Sequence, residues 1–164
     1  MKPKLIILAG ADGSGKTTLA SKLVASSLKP NYLHFNQHVK LEDYVKALLP
    51  DGKPRVLDRS WLCELPYGAA LGRADRFGNG ARLALERLAL EMWDPKVVLC
   101  QPSWEQVFKN WGEKNTTTAP EFLQRREALK VVFDAYPKEL VWSLLPVTIY
   151  DYTSHPFPRL LESL

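Results

Sequence analysis

One stretch near the N-terminus restricts the possible folds of this chain more than any other. Residues Gly10 to Thr17 read Gly-Ala-Asp-Gly-Ser-Gly-Lys-Thr, the complete pattern G-x-x-x-x-G-K-[ST]. The apolar run Lys4 to Ala9 precedes it, and Lys16 to Leu28 carries apolar residues at helical spacing after it. The sequence therefore predicts a buried strand, a glycine-rich loop and a helix in that order, which is the context in which the pattern binds phosphate.

This loop predicts a nucleoside triphosphate as ligand. Its backbone N–H groups would face the β-phosphate, Lys16 would reach the β- and γ-phosphate oxygens, and the Thr17 hydroxyl would ligate Mg²⁺. The dipole of the following helix adds to the attraction for an anion. A glycine-rich turn that matches by chance is the alternative, and the flanking strand and helix argue against it. The residues expected to bind the ATP phosphates are Gly10, Asp12, Gly13, Ser14, Gly15, Lys16, Thr17 and Thr18.

The rest of the chain alternates short apolar runs with helical stripes. Further strands are expected over 31–35, 55–57, 96–100 and 146–150. Helices are expected over 41–49, after Ser60, over 81–93, from Ser103, from Thr118 to a stop at Pro137, and over 140–144. This alternation predicts an α/β fold, a doubly wound five-stranded parallel sheet flanked by helices. The 164 residues are expected to form a single domain, 1–164.

Composition narrows the class of protein. The sequence shows no signal-peptide pattern and no apolar stretch of about 18 residues, so we expect a soluble, cytoplasmic protein without a membrane partner. Cys63 and Cys100 lack the spacing of metal ligands and are expected to be reduced, buried thiols. The net charge of +4 suits either nucleic acid or a cleft that binds polyphosphates, and charge alone does not decide between them.

The segment Asp58-Arg59-Ser60 follows the third apolar strand. Asp58 stands at the end of a strand beside a phosphate loop. Its carboxylate is therefore placed to act as a second ligand in the Mg²⁺ shell, in addition to the hydroxyl of Thr17. Arg59 would emerge into the same crevice. The alternative is an ordinary helix cap with a surface ion pair, and the intact phosphate loop favours the functional interpretation.

A glycine-bearing segment over 68–80 is expected to be a mobile loop that forms a short lid. Arg73 and Arg76 lie in it, and the planar guanidinium group suits phosphate oxygens. We therefore expect one of them to act on the triphosphate, with Arg82 and Arg87 as less favoured substitutes. The alternative is a solvated loop with one Arg–Asp pair, and which arginine acts stays open.

Aromatic residues near these segments are candidates for a base-binding slot. Phe35 ends the second predicted strand, and Trp61 and Tyr67 flank the helix after Asp58. Aromatic faces suit any nucleobase, but each of the three could equally be core. Gln37 and its neighbour His38 are polar candidates for contact with the acceptor.

Taken together, these residues resemble the thymidylate-kinase-like branch of P-loop kinases, especially the short forms encoded by bacteriophages. The resemblance covers nearly the whole chain. It is carried by the phosphate loop through Thr18, by Val56-Leu-Asp-Arg-Ser-Trp61 with Pro66-Tyr-Gly68, by 97–102 with Trp104, and by 150–153. The resemblance implies ATP and Mg²⁺ as cofactors, and transfer of the γ-phosphoryl group to a pyrimidine deoxynucleotide. Whether such a protein would form a homodimer stays open.

The resemblance also implies roles for individual residues. Lys16 would stabilise the migrating phosphoryl group, Arg59 would grip the acceptor phosphate, and Asp58 would organise the water of the metal. Asp12 occupies the place of the loop carboxylate that receives the 3′-hydroxyl of the acceptor sugar. The sequence departs from the family in Asn36-Gln-His38, where an acidic-proline-glycine turn is usual, and in its very short lid.

These departures leave two further interpretations open. Some phage kinases phosphorylate the hydroxymethyl group of a modified pyrimidine within DNA, and there Asp58 would have to accept a proton. An internal nucleotide has no free 3′-hydroxyl for Asp12, which favours the free deoxynucleotide. A non-catalytic nucleotide switch is the second alternative, and it is disfavoured because no N/T-K-x-D stretch follows a later strand.

Overall fold

A computed structural model describes residues 1–73, 75–113 and 126–164 of this chain. It contains a parallel five-stranded sheet in the order β2-β3-β1-β4-β5. The strands are β1 (Lys4–Ala9), β2 (Asn31–His34), β3 (Arg55–Asp58), β4 (Asp94–Cys100) and β5 (Val147–Tyr150). All four strand pairings are parallel, which confirms the predicted α/β fold.

Helices cover both faces of this sheet. A 3₁₀ turn, Trp61–Cys63, leads into the third helix. The helices are α1 (Lys16–Val24), α2 (Leu41–Ala47), α3 (Glu64–Leu71), α4 (Gly78–Met92), α5 (Trp104–Glu113), α6 (Arg126–Leu140) and α7 (Phe157–Ser163). None of the helices in the described ranges is both long and apolar enough to span a bilayer.

The central strand β1 is apolar and buried from Leu5 to Ala9, as suits a strand with both faces covered. Leu5 and Ile7 face the larger core, which α2, α3, α4 and α6 help to form. Ile6 and Leu8 face the smaller core beneath α1 and α7. Side chains alternate between the faces of a strand, so this one run of residues fills two cores.

Three expectations about helices are wrong. The segment 68–80, expected as a loop, is helical except in its middle, since α3 continues to Leu71 and α4 begins at Gly78. Gly72, in a left-handed conformation with φ of 63°, ends α3, whereas Gly68 is accommodated inside it. Pro137 lies inside α6 rather than ending it, because the buried face of α6 continues to Leu140. The predicted helix over 140–144 is a turn whose Trp142 is exposed.

The C-terminal part of the chain forms a helix for which the sequence gives no functional signal. This helix is α7, and its Leu160 is buried against the smaller core. The expected start of a helix at Thr118 lies outside the described residues.

The sheet topology decides where a ligand can bind. The chain runs outward from β1 to both sides, so β3 and β4 flank β1 and a crevice opens beyond its carboxyl end. Asp58 ends β3 opposite Leu8 of β1 and His34 of β2. The residues that follow these three strand ends therefore meet at one edge of the sheet.

Candidate active site

The phosphate loop has a backbone that only glycine can adopt at its first position. Gly10 has φ of +138°, and a Cβ there would lie 2.7 Å from the carbonyl oxygen of Cys100. This contact with the neighbouring strand β4 is too close for any side chain. The loop then leads directly into α1, whose first turn carries no acidic residue. No acidic side chain of that turn therefore neutralises the positive end of the α1 dipole, which can attract an anion.

Lys16 lies inside this loop. Its side chain is buried, and Nζ donates hydrogen bonds to the carbonyl oxygens of Gly10 at 2.7 Å and Ala11 at 2.8 Å. Burial lowers the pKa of Lys16, and the carboxylate of Asp12 opposes that shift. The ammonium group is thus held at the centre of the loop, where a phosphate would approach.

Asp58 is a buried carboxylate whose two oxygens differ. Oδ2 accepts a hydrogen bond from the Tyr32 hydroxyl at 2.9 Å and lies 3.3 Å from Nδ1 of His34. Oδ1 is buried and has no hydrogen-bond partner among the described residues. Partial burial and the hydrogen bond to Asp58 raise the pKa of Tyr32 to about 12, so the hydroxyl keeps the proton that it donates. One carboxylate oxygen is therefore held by β2 while the other remains available.

The residues present fit a magnesium ion that is shared with a nucleotide. The buried Oδ1 of Asp58 lacks a partner, and Thr17 is exposed in the first turn of α1. No cluster of three or more His, Cys, Asp or Glu side chains in the described ranges could hold a metal ion by itself. This is the arrangement that suits Mg²⁺, which keeps water and takes phosphate oxygens in addition to one or two protein ligands.

Arg59 bridges the phosphate loop and the neighbouring cleft. Its φ of 71° lies in the left-handed region, which costs a non-glycine residue roughly 1–3 kcal/mol and is typical of functional positions. Nη2 donates to Oδ1 of Asp12 at 2.5 Å, and the guanidinium carbon lies 5.3 Å from the centre of the Tyr67 ring. Burial alone would raise the pKa of Asp12, but the charges of Arg59 and Lys16 outweigh burial and lower it.

A cleft of about 650 Å³ opens on the Arg59 side. The structure brings six of the predicted residues to its lining in addition to Arg59. These are Phe35, Gln37, His38, Tyr67, Arg73 and Arg76. Trp61, the remaining aromatic candidate, does not line the cleft but packs in the larger core, with its ring centre 5.7 Å from that of Tyr44. The core interpretation of Trp61 is therefore the one that the structure supports.

The two arginines of the segment 68–80 also lie in this cleft. Arg76 pairs with Glu64 at 2.5 Å, and Arg73 pairs with the same carboxylate at 3.4 Å. Glu64 is buried at the start of α3. Both arginines therefore line the cleft beside Arg59, where a buried carboxylate holds them.

A second, smaller pocket of about 360 Å³ adjoins the other side of the phosphate loop. The ring of Tyr152 lies against Gly15, so that a Cβ at Gly15 would be 3.0 Å from it. Asn110 donates hydrogen bonds to the Gly13 carbonyl at 2.9 Å and to the Tyr152 hydroxyl at 2.7 Å. Thr18, a predicted phosphate contact, lines this pocket as well.

The sequence interpretation missed several residues of the site. Tyr32 and His34 could have been found, because residues two apart on a strand share a face and β2 lies beside β3. Glu64 carries a weaker signal, a carboxylate near Asp58-Arg59 in a largely apolar stretch. Tyr152 belongs to the segment 150–153 that carries the resemblance, but Asn110 lies 42 positions away from it, and nothing in the sequence pairs the two.

Comparison with known proteins supports this assignment of the fold. The sequence profile of the zeta toxin family matches residues 1–52, which include the phosphate loop. None of the curated proteins matches the chain. The YorR protein of Bacillus subtilis, solved in complex with phosphorylated GDP, is similar at a TM-score of 0.76 and 17% identity, over 97% of this chain and 92% of that one.

Two nucleotide-metabolising kinases are similar over their full lengths. The deoxyadenosine kinase of M. mycoides with bound dCTP has a TM-score of 0.57 and 16% identity, over 98% of this chain and 100% of that one. The thymidylate kinase of Candida albicans has a TM-score of 0.63 and 15% identity, over 99% and 91%. At these identities the similarity shows a shared fold alone.

Proposed function

We propose that this protein is an ATP-dependent kinase that transfers the γ-phosphoryl group to a deoxynucleoside monophosphate, with a pyrimidine as the preferred base. One observation carries the proposal. The hydrogen bond from Arg59 to Asp12 joins a phosphate loop to a separate cleft that is large enough for a nucleotide. Phosphoryl transfer between two nucleotides requires that donor and acceptor are held close together and correctly oriented, and this Arg–Asp pair lies where the two regions meet.

On the donor side, the triphosphate of ATP would lie along the phosphate loop. Lys16 would exchange its hydrogen bonds to the Gly10 and Ala11 carbonyls for bonds to phosphate oxygens. The base would enter the pocket beside Tyr152, whose ring offers an apolar face next to the loop. Thr17 and Asp58 would hold Mg²⁺, which when bound supplies positive charge against the phosphate oxygens.

On the acceptor side, Arg59 would bind the phosphate of the monophosphate as a planar, permanently charged donor. An oxygen of that phosphate forms the new bond to the γ-phosphorus, while the bond to the bridging β–γ oxygen breaks and ADP leaves. The acceptor phosphate is already ionised, so this reaction needs no general base. Asp12, held ionised by its neighbours, would accept a hydrogen bond from the sugar 3′-hydroxyl.

A second acceptor is supported by a specific observation. The unpartnered Oδ1 of Asp58 could accept the proton of a hydroxyl group, as the hydroxymethyl group of a modified pyrimidine within DNA would require. The proposed role of Asp12 disfavours this acceptor, because an internal nucleotide has no free 3′-hydroxyl that could donate a hydrogen bond to it. The free deoxynucleotide therefore remains the first choice.

An acceptor panel tests the proposal. The protein is incubated with γ-labelled ATP, Mg²⁺ and, separately, each deoxynucleoside monophosphate, each deoxynucleoside, plain DNA and hydroxymethyluracil DNA. We expect label in the pyrimidine monophosphates. Label in hydroxymethyluracil DNA alone would establish the second acceptor, and label in nothing except released phosphate would contradict the kinase assignment.

A further inference from the structure

The guanidinium group of Arg76 is engaged through all three of its nitrogens. Nε donates to Oε2 of Glu64 at 2.8 Å, and Nη2 donates to Oε1 of the same residue at 2.5 Å. Nη1 donates to the carbonyl oxygen of Gln37 at 2.9 Å. Two parallel bonds to one carboxylate fix the plane of the guanidinium group, and the third fixes its position. We call Gln37, Glu64 and Arg76 the clasp.

The clasp joins three segments that are distant in sequence. Glu64 is the first residue of α3, Gln37 lies between β2 and α2, and Arg76 lies between α3 and α4. All three line the cleft that holds Arg59. A single side chain thus ties the wall formed by α3 to the wall formed by the β2–α2 connection.

Aromatic packing continues the clasp into the core. The Arg76 guanidinium carbon lies 4.9 Å from the centre of the Phe77 ring. Phe77 packs edge-on against Tyr44 at 5.9 Å between ring centres, and Tyr44 packs against Phe35 at 4.9 Å. The clasp is therefore anchored to α2 as well as to α3. These contacts hold the two walls of the cleft at a fixed distance from each other.

We infer that the clasp positions the acceptor nucleotide, and that Arg76 acts through the shape of the acceptor cleft instead of on the migrating phosphoryl group. The inference rests on the proposed function and assigns Arg76 a role different from the one that the sequence suggests. Glu64 supplies the buried charge that keeps Arg76 in place, and Gln37 supplies the opposite wall. Glu64 and Arg76 are positioning residues for the acceptor.

Arg76→Lys tests the inference because lysine keeps the positive charge but cannot form the two parallel hydrogen bonds that the guanidinium group donates to Glu64. We expect the KM for the acceptor to rise about tenfold, the effect of one lost charged hydrogen bond, with kcat and the KM for ATP nearly unchanged. Arg159→Lys, an exposed arginine on α7, is the matched control. A large fall in kcat with an unchanged acceptor KM would place Arg76 on the phosphoryl group and overturn the inference.

A second variant guards against loss of folding. Removing one partner of the buried pair leaves the other charge uncompensated, whereas Glu64→Gln/Arg76→Gln removes both charges together. If the two residues act as one unit, the double variant raises the acceptor KM no more than the worse single variant, Glu64→Gln or Arg76→Gln. Multiplied effects would contradict the clasp. Glu91→Gln is the control for an exposed glutamate.

Calorimetric binding of dTMP in the absence of ATP separates the inference from the proposed function. Weaker binding of dTMP by Arg76→Lys than by the wild-type protein supports the clasp without any transfer reaction. Equal binding by both overturns it. Wild-type protein that binds dTMP but transfers no phosphate to it contradicts the proposed function and leaves the positioning of the acceptor supported.

Discussion

The phosphate loop and the acceptor cleft meet at the Asp12–Arg59 pair, but they are built in different ways. The loop is a continuous stretch whose binding groups are backbone N–H groups and one buried lysine. The cleft is assembled from side chains that four separate segments contribute, and ion pairs hold it together. A site made of backbone needs only a local conformation, whereas a site made of side chains needs the whole fold to be in place.

This difference predicts how the two regions respond to substitution. Loss of Lys16 from the loop should abolish the reaction for every acceptor, since the donor phosphates lose their contact with its ammonium group. Variants in the cleft should change which acceptor is used and how well it is held.

Lys16→Ala is expected to have the largest effect. The transfer rate should fall about 10³-fold or more with every acceptor, because a positioned cation on the migrating phosphoryl group is lost. A coupled ADP-release assay measures the rate, and circular dichroism checks the fold. Lys46→Ala, an exposed lysine on α2, is the matched control. Wild-type turnover by Lys16→Ala would refute the donor site.

Asp58→Asn is expected to lower the rate by about 10²- to 10³-fold. The amide keeps the shape but removes the charge from a group that would organise Mg²⁺ and its water. Initial rates measured over a range of Mg²⁺ concentrations should show a weaker apparent Mg²⁺ affinity. Asp134→Asn removes an exposed carboxylate that pairs with Lys130 and should leave the rate unchanged. An unaltered Mg²⁺ dependence would exclude this role of Asp58.

Tyr32→Phe is expected to lower kcat about tenfold. It removes only the hydroxyl that holds Oδ2 of Asp58, a loss typical of a group that orients a metal ligand. The KM for the acceptor should change little, which separates this effect from that of Arg76→Lys. Tyr136→Phe is the control, because its buried hydroxyl has no hydrogen-bond partner among the described residues. Equal kcat values for both variants would show that Asp58 does not depend on β2.

Asp12→Asn is expected to lower the free energy of unfolding by roughly 1–3 kcal/mol at neutral pH. The folded-state pKa of Asp12 is lowered from 3.8, so the ionised carboxylate stabilises the protein above that value, and this contribution is lost as the pH falls through the lowered pKa. Urea unfolding at several pH values should show the gap between variant and wild type closing in acid. A gap that is constant with pH would contradict the Asp12–Arg59 coupling.

Much of the fold could be predicted from the sequence because it follows local patterns. The inner strands β1, β3 and β4 contain short apolar runs, and the phosphate loop marks the end of β1. The errors fall where a local signal was outweighed by packing. Pro137 does not end α6, since buried Tyr136 and Leu140 continue the same helix face. Gly68 does not open a loop, since it is buried within α3 next to the buried side chain of Tyr67.

Some residues of the candidate site could likewise be predicted from local sequence patterns, and others could not. Lys16, Asp58 and Arg59 could be proposed because each stands at the end of a recognisable strand or loop. The contacts of the Arg76 side chain could not be predicted, because its partners Glu64 and Gln37 lie 12 and 39 positions away in the sequence. A side chain with several rotatable bonds can reach in many directions, and the sequence does not choose among them.

The phosphate loop follows from the sequence alone, since glycine spacing fixes a backbone conformation through short-range steric effects. The position of Asp58 and Arg59 after a strand beside that loop follows from the sequence as well. Other contacts follow from the tertiary structure: Asp12 pairs with Arg59, Tyr32 holds one oxygen of Asp58, and the arginines of segment 68–80 face a buried carboxylate. These contacts join residues from different segments, and they depend on how helices and strands pack in three dimensions.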